Sequence, residues 1–218
     1  MKRLILTFHG IGPKPRQLSP EESNVWVDES QLTSVLDLLA DHPSVGITFD
    51  DGNRSDVDIA LPELRRRGLS AEFFVLAGKF GLPGYLDRDG VLELQREGMA
   101  IGSHGMHHRS WRKLSAADAH EELVTSRTVL SELTGRPVLS AACPFGAYDR
   151  RALSAVRRAG YQRVYTSDGG PARDTWLQPR NTIKRDQSVS ELVALLAGSR
   201  PVSSSALSAL KRTAKRWR

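Results

Sequence analysis

Apolar residues along this chain fall into two rhythms that take turns. Short runs, Leu4 to Phe8, Val45 to Phe49, Ala71 to Ala77, Met99 to Gly102, Val138 to Cys143 and Tyr161 to Thr166, stop close to glycine, proline or acidic residues. Runs of that length bounded by turn signals predict buried strands. Between them, apolar residues recur at helical spacing. Leu32, Val35, Leu36, Leu38 and Leu39 predict a helix over Gln31 to Ala40, and Val57, Ile59, Ala60, Leu61 and Leu64 another over Ser55 to Arg67. Gly68 suits the end of that second helix, and Pro62 predicts a kink or a shortening inside it. Further helices are expected at Arg88 to Glu97, Ser115 to Gly135, Asp149 to Ala159 and Ser188 to Ala197. A last short strand is expected at Asn181 to Lys184. The glycines and prolines from Gly10 to Pro20 predict a loop.

Alternating strands and helices argue for an α/β fold with a parallel sheet or a barrel. In a barrel, the loops that follow the strands share one face, and that face carries chemistry. His9, Asp50, Asp51, His104, His108, Phe145 and Asp168 all follow predicted strands, so closure would gather residues far apart in sequence.

Two of those strand ends stand out chemically. Val45-Gly46-Ile47-Thr48-Phe49 runs into Asp50-Asp51-Gly52. Asp-Asp-Gly alone is an ordinary turn, since Asp tolerates turn geometry and Gly supplies positive φ. Two carboxylates at the mouth of a buried strand lose hydration and repel one another. A metal relieves both, with one carboxylate as ligand and the other free as a base. The segment Gly102 to His108 holds three of the chain's six histidines and also follows an apolar run. Two imidazoles with one carboxylate make a familiar open metal site. From spacing alone, His104 pairs equally well with His107 or His108.

Composition narrows the setting. At 218 residues the chain is expected to be one domain, or one domain with a tail. No stretch approaches the roughly 20 apolar residues of a membrane helix. The first residues are too brief for a signal peptide, and the single Cys143 forms no internal disulfide, so the cytoplasm is expected. The net charge of +6 resides in the tail. Residues 199–218 carry six basic groups and no acidic one, leaving 25 basic against 25 acidic elsewhere. No nucleic-acid partner is expected for the body.

The sequence resembles a polysaccharide deacetylase of the NodB-homology type, carbohydrate esterase family 4. The resemblance rests on Thr48-Phe49-Asp50-Asp51-Gly52, on His104 with His108, and on Pro144-Phe145-Gly146, and spans about residues 1–185. It implies a single-domain distorted (β/α) barrel over residues 1–197. It implies a divalent metal, usually zinc, on Asp51, His104 and His108, with Asp50 as general base and the Phe145 N–H in an oxyanion hole. Three family features are missing. Ala141-Ala142-Cys143 lacks the Arg that pairs with the catalytic Asp, and there is no late Leu-x-His and no Asp-x-x-Asp-Trp segment. The branch resembling poly-N-acetylglucosamine deacetylases carries its acid histidine at the end of the first strand, where Phe8-His9-Gly10 fits, so His9 is the expected general acid. Arg180 is the expected substitute for the missing Arg. The implied reaction removes N-acetyl groups from an amino sugar in a polysaccharide, oligosaccharide or lipid-linked glycan. The alternatives are a deacylase for O-acetyl or N-formyl groups and a non-catalytic glycan-binding relative.

Trp26, Tyr85 and Trp111 suit either sugar stacking or packing. Residues 198–205 read as a linker. Beyond them Leu207, Leu210, Ala214 and Trp217 share one helical face with basic residues mostly elsewhere, which predicts peripheral contact of 206–218 with an anionic membrane or else a solvated end. Lipid contact would place the protein on the inner face of the membrane.

Overall fold

Strand periodicity of two lets one segment serve two cores, because successive side chains point to opposite faces. The computed structural model describes residues 3–172 and 175–197. It contains β1 (Ile5–Phe8), β2 (Gly46–Asp51), β3 (Glu72–Val75), β4 (Ala100–Ser103), β5 (Ser140–Ala142), β6 (Arg163–Thr166), β7 (Leu177–Pro179) and β8 (Asn181–Thr182). Leu6, Phe8, Ile47, Phe49, Phe73, Val75, Ala141 and Val164 belong to the large core between sheet and helices. The alternate positions Ile5, Phe74, Ala142 and Tyr165 form a separate small cluster inside the barrel with Ala172. On the outer face Phe8, Phe49 and Phe73 stack across three adjacent strands, with ring centroids 5.2 and 4.7 Å apart.

All ladders are parallel, in the order β7-β6-β5-β4-β3-β2-β1-β8. The two end strands are consecutive pieces of one segment. Leu177–Pro179 pairs with β6, the Arg180 N–H still donates to Thr166 O, and Asn181–Thr182 then pairs with β1. Residues 177–182 therefore bring the sheet nearly to closure, and Arg180 stands at the crossing point. Of the parallel sheet or barrel that the alternation left open, this is the distorted (β/α) barrel that the family resemblance implies.

The helices are α1 (Pro20–Val25), α2 (Glu29–Ala40), α3 (Leu61–Arg66), α4 (Arg88–Arg96), α5 (Ala116–Ala119), α6 (Ser126–Thr134), α7 (Arg150–Arg158) and α8 (Val189–Leu196). Four corrections to the sequence reading follow. The loop expected through Pro20 gives way to α1, capped by the Ser19 side chain and opened by Pro20; it buries nothing, so no apolar stripe announces it. The helix expected from Ser55 begins as a wide π-type turn, Asp56–Ala60, and becomes α-helical at Leu61, with Pro62 in the tolerant first turn. The long helix from Ser115 holds a second wide turn, His120–Thr125, before α6 ends at Gly135 in the left-handed conformation. Strand β7 was not expected, because a three-residue strand ending in proline carries no periodic signal. Among the described residues no helix separates β6 from β7, and none is long and apolar enough to cross a membrane. The predicted linker and tail, 198–218, lie outside the described residues.

Candidate active site

Five strand ends, those of β1, β2, β4, β5 and β7, meet on one face, as a barrel requires. Asp50 and Asp51 close β2 and are almost fully buried, at 2% and 5% exposure. His104 follows β4, His9 follows β1, and Phe145 follows β5. The structure brings all of them together with Arg180 and His108.

Asp51, His104 and His108 offer ligand atoms that lie within 4.8 Å of one another. Asp51 Oδ1 lies 3.4 Å from His104 Nε2 and 3.3 Å from His108 Nε2. His104 Nδ1 is 2.9 Å from the Ala142 carbonyl, which can only accept, so Nδ1 carries the proton. The Nε2 lone pair therefore faces a carboxylate oxygen. Asp51 Oδ1 is itself buried without a hydrogen-bond partner. Lone pairs converging in this way repel one another unless a cation sits between them, so the donor set fits a divalent metal of the zinc class. Burial pushes the His104 imidazole down to about 3, which keeps it in the neutral form a ligand needs. His108 is also lowered, chiefly by burial. Burial first, against an opposing pull from His9, and then repulsion from Asp50 push Asp51 up to about 6.

His107 points elsewhere, its Nε2 2.9 Å from Glu121 on the surface. The geometry thus selects His108 where spacing left the choice open. His108 itself sits at φ +62°, in the left-handed region.

Asp50 meets a different environment. Arg180 donates to it twice, Nη1 to Oδ1 and Nη2 to Oδ2, each at 2.6 Å. Arg180 is fully buried, also donates to Thr48 Oγ1 at 3.2 Å, and lies over the rings of Phe74 and Tyr165. Burial raises the Asp50 carboxyl, but Arg180 and His104 outweigh it and hold it well below the usual carboxylate range. Arg180 therefore occupies the place expected for the missing cation. His9 is partly buried, with Nε2 3.9 Å from Asp50 Oδ2 and Nδ1 unpartnered.

Phe145 takes φ +58° in the Pro144–Gly146 turn, and its ring, 66% exposed, lies 4.3 Å from that of His108. That conformation is strained for a non-glycine residue. Trp26 and Trp111 pack in the interior, at 3% and 1% exposure, and Tyr85 is half-buried at the rim.

One organising residue escaped the sequence reading. Glu122, fully buried, accepts from the Met106 N–H at 3.0 Å and the His107 N–H at 2.9 Å, and so holds the loop between His104 and His108. Gly105 is obligatory beneath it: its φ is +89°, and a Cβ there would stand 2.3 Å from Glu122 Oε2. A lone Glu inside a helix pattern offers no hint of this role. The wide turn His120–Thr125 is where it departs from α-helical spacing.

Comparison with known proteins agrees with this architecture. Residues 39–164, more than half of the chain, match the family model for polysaccharide deacetylase. YxkH of Bacillus subtilis is 25% identical over 155 residues, covering 71% of this chain and 53% of that one. The chitooligosaccharide deacetylase of Azorhizobium caulinodans is 26% identical over 138 residues, 62% of this chain and 63% of that one. The chain thus spans between about half and two thirds of the length of these two relatives. The fold superposes on the Streptococcus pyogenes deacetylase PplD in complex with acetate, with TM-score 0.77 and 22% identity over 88% of this chain and 97% of that one. The chain belongs to the polysaccharide deacetylase family.

Proposed function

We propose that the protein is a metal-dependent hydrolase that removes N-acetyl groups from a glycan. The observation that carries this reading is the pairing of a cation-poor donor set, Asp51, His104 and His108, with an adjacent carboxylate, Asp50, that already has its own cation. A divalent metal of the zinc class, held by the first set, supplies Lewis-acid polarisation of a carbonyl and a lowered water pKa.

The remaining steps belong to the chain. Asp50 accepts the proton of the attacking water; Arg180 keeps it ionised and fixes its plane. The Phe145 backbone N–H donates to the oxyanion of the tetrahedral species, and the strained turn fixes its direction. Protonated His9, beside Asp50, gives its proton to the departing amine, which is otherwise a poor leaving group. Acetate and a free amino sugar result.

The test is Asp50→Asn in zinc-loaded protein, assayed on N-acetylglucosamine oligomers for acetate release. Retained metal with turnover down at least a hundredfold is expected; full activity would remove Asp50 as the base. O-acetyl and N-formyl sugars run in parallel would show which acyl group is cleaved. The expected localisation, cytoplasmic and peripheral to the inner membrane face, is part of the same proposal and is tested by liposome sedimentation with and without residues 206–218.

A further inference from the structure

The rim of this site carries a positive charge that the mechanism above does not use. After β3 the chain runs through a loop, residues 77–86, that is stitched to both metal-ligand segments. At its start, the Ala77 and Gly78 N–H groups donate to Gly105 O and Met106 O, each at 3.0 Å, inside the loop that carries His104 and His108. At its end, the Leu86 N–H donates to Gly52 O at 2.9 Å, and Tyr85 bridges to Asn53, just beyond Asp51. Gly78 lies so close to the histidine loop that a Cβ there would meet Met106 O at 2.7 Å. Lys79 and Tyr85 are therefore held between the Asp51 side and the His108 side of the centre.

Two cations converge on Tyr85. The Lys79 ammonium lies 5.0 Å from its ring centroid, and the Arg16 guanidinium 4.6 Å. Arg16 is held in place by Glu22 at 2.5 Å and by Asn53 Oδ1 at 3.4 Å, so its charge is largely matched. Lys79 differs. It is half-buried, and among the described residues it forms no ion pair. An ammonium fixed on an aromatic face, without a carboxylate, offers a free donor to an incoming oxyanion. A neutral glycan gains little from it. Of the adjoining carboxylates, Asp50 is matched by Arg180 and Glu22 by Arg16, and a divalent cation on Asp51 would outweigh its charge.

We infer that Lys79, backed by Tyr85, is a subsite for an anionic substituent, a phosphate or a carboxylate, on or next to the N-acetylated sugar. This rests on the deacetylase reading for its biological sense but not for its test. Titration calorimetry on the zinc-loaded protein would compare N-acetylglucosamine 1-phosphate, N-acetylmuramic acid and neutral N,N'-diacetylchitobiose, with turnover of the same three measured separately. Binding of one anionic sugar roughly tenfold tighter than the neutral one is expected, the size of a charge-assisted hydrogen bond at a partly exposed position. Which anion wins separates phosphate from carboxylate. Lys79→Gln should erase the preference, and Lys79→Arg should restore most of it. Equal binding of all three sugars by the wild type, or a preference that survives Lys79→Gln, would overturn the subsite. Absence of turnover with the binding preference intact would instead count against deacetylation and leave the subsite standing.

Discussion

Asp50 and Asp51 are neighbours in sequence, end the same strand, and are buried alike, yet the fold treats them in opposite ways. Asp50 receives a built-in cation and is held ionised. Asp51 receives two neutral imidazoles, is left with an unpartnered oxygen, and is pushed up toward neutrality. Backbone geometry produces the split. Asp50 keeps the strand's inward direction and meets Arg180 in the barrel, whereas Asp51 leaves extended geometry at φ +78° and its carboxylate reaches the histidine loop. The lesson is that a pair of adjacent acids can hold two different jobs when the chain supplies a counter-charge to only one of them. The other is left open to a cation from outside, the place the proposed metal would take.

The contrast breaks most sharply at Asp50 itself. Asp50→Asn should lower turnover by about 10²–10⁴, the usual weight of a general base, while zinc content stays that of the wild type. Arg180→Ala removes the counter-charge and leaves a buried carboxylate alone. It should cost about 3–5 kcal/mol of stability, read by chemical denaturation, together with loss of turnover. Unchanged turnover would show that the pair is only structural.

Asp51 should behave in the reverse sense in the metal-free protein. Its carboxyl is raised from about 4 when unfolded to about 6 when folded, so the folded state binds more protons in that window. Its contribution to stability is complete below pH 4 and is lost as pH rises through 6, by roughly 3 kcal/mol. His104 and His108, depressed in the fold, have the opposite slope, and Asp56, raised like Asp51, adds to the fall, so the effect is read as a difference between variant and wild type. Asp51→Asn removes the falling contribution of Asp51, and metal-free stability should then climb from pH 4 to 6 relative to the wild type. A variant curve parallel to the wild type would deny that Asp51 lacks a counter-charge. The smallest effect is expected at Glu122. Glu122→Gln weakens the clamp on the histidine loop without touching a ligand, and zinc affinity should fall about 10–100-fold.

Much of this was legible beforehand because strand runs and turn residues are local signals. The first six strands, the face that carries the chemistry and the meeting of Asp50, Asp51 and the histidines follow from alternation and barrel closure. What was hidden depends on long-range contact. Leu177-Gln178-Pro179 becomes a strand only because β6 offers it an edge. His108 and His107 are equivalent until Glu121 engages one and Asp51 faces the other. Arg180 was named from a missing partner rather than from its own surroundings, and only the crossing of 177–182 shows why its side chain enters the barrel. Glu122 gave no local sign, since its partners Met106 and His107 lie in a loop 16 and 15 residues away, and Lys79 gave none because its loop gains meaning only where it meets the histidine loop.

The central claim is that Asp51, His104 and His108 form a metal centre beside an independently neutralised Asp50. The most direct measurement is zinc content and affinity in the wild type, Asp51→Ala, His104→Ala and Asp50→Asn. The account predicts about one zinc per chain in the wild type and in Asp50→Asn, with loss in the other two. A wild type that binds no divalent metal, or one whose binding survives both ligand substitutions, would contradict it.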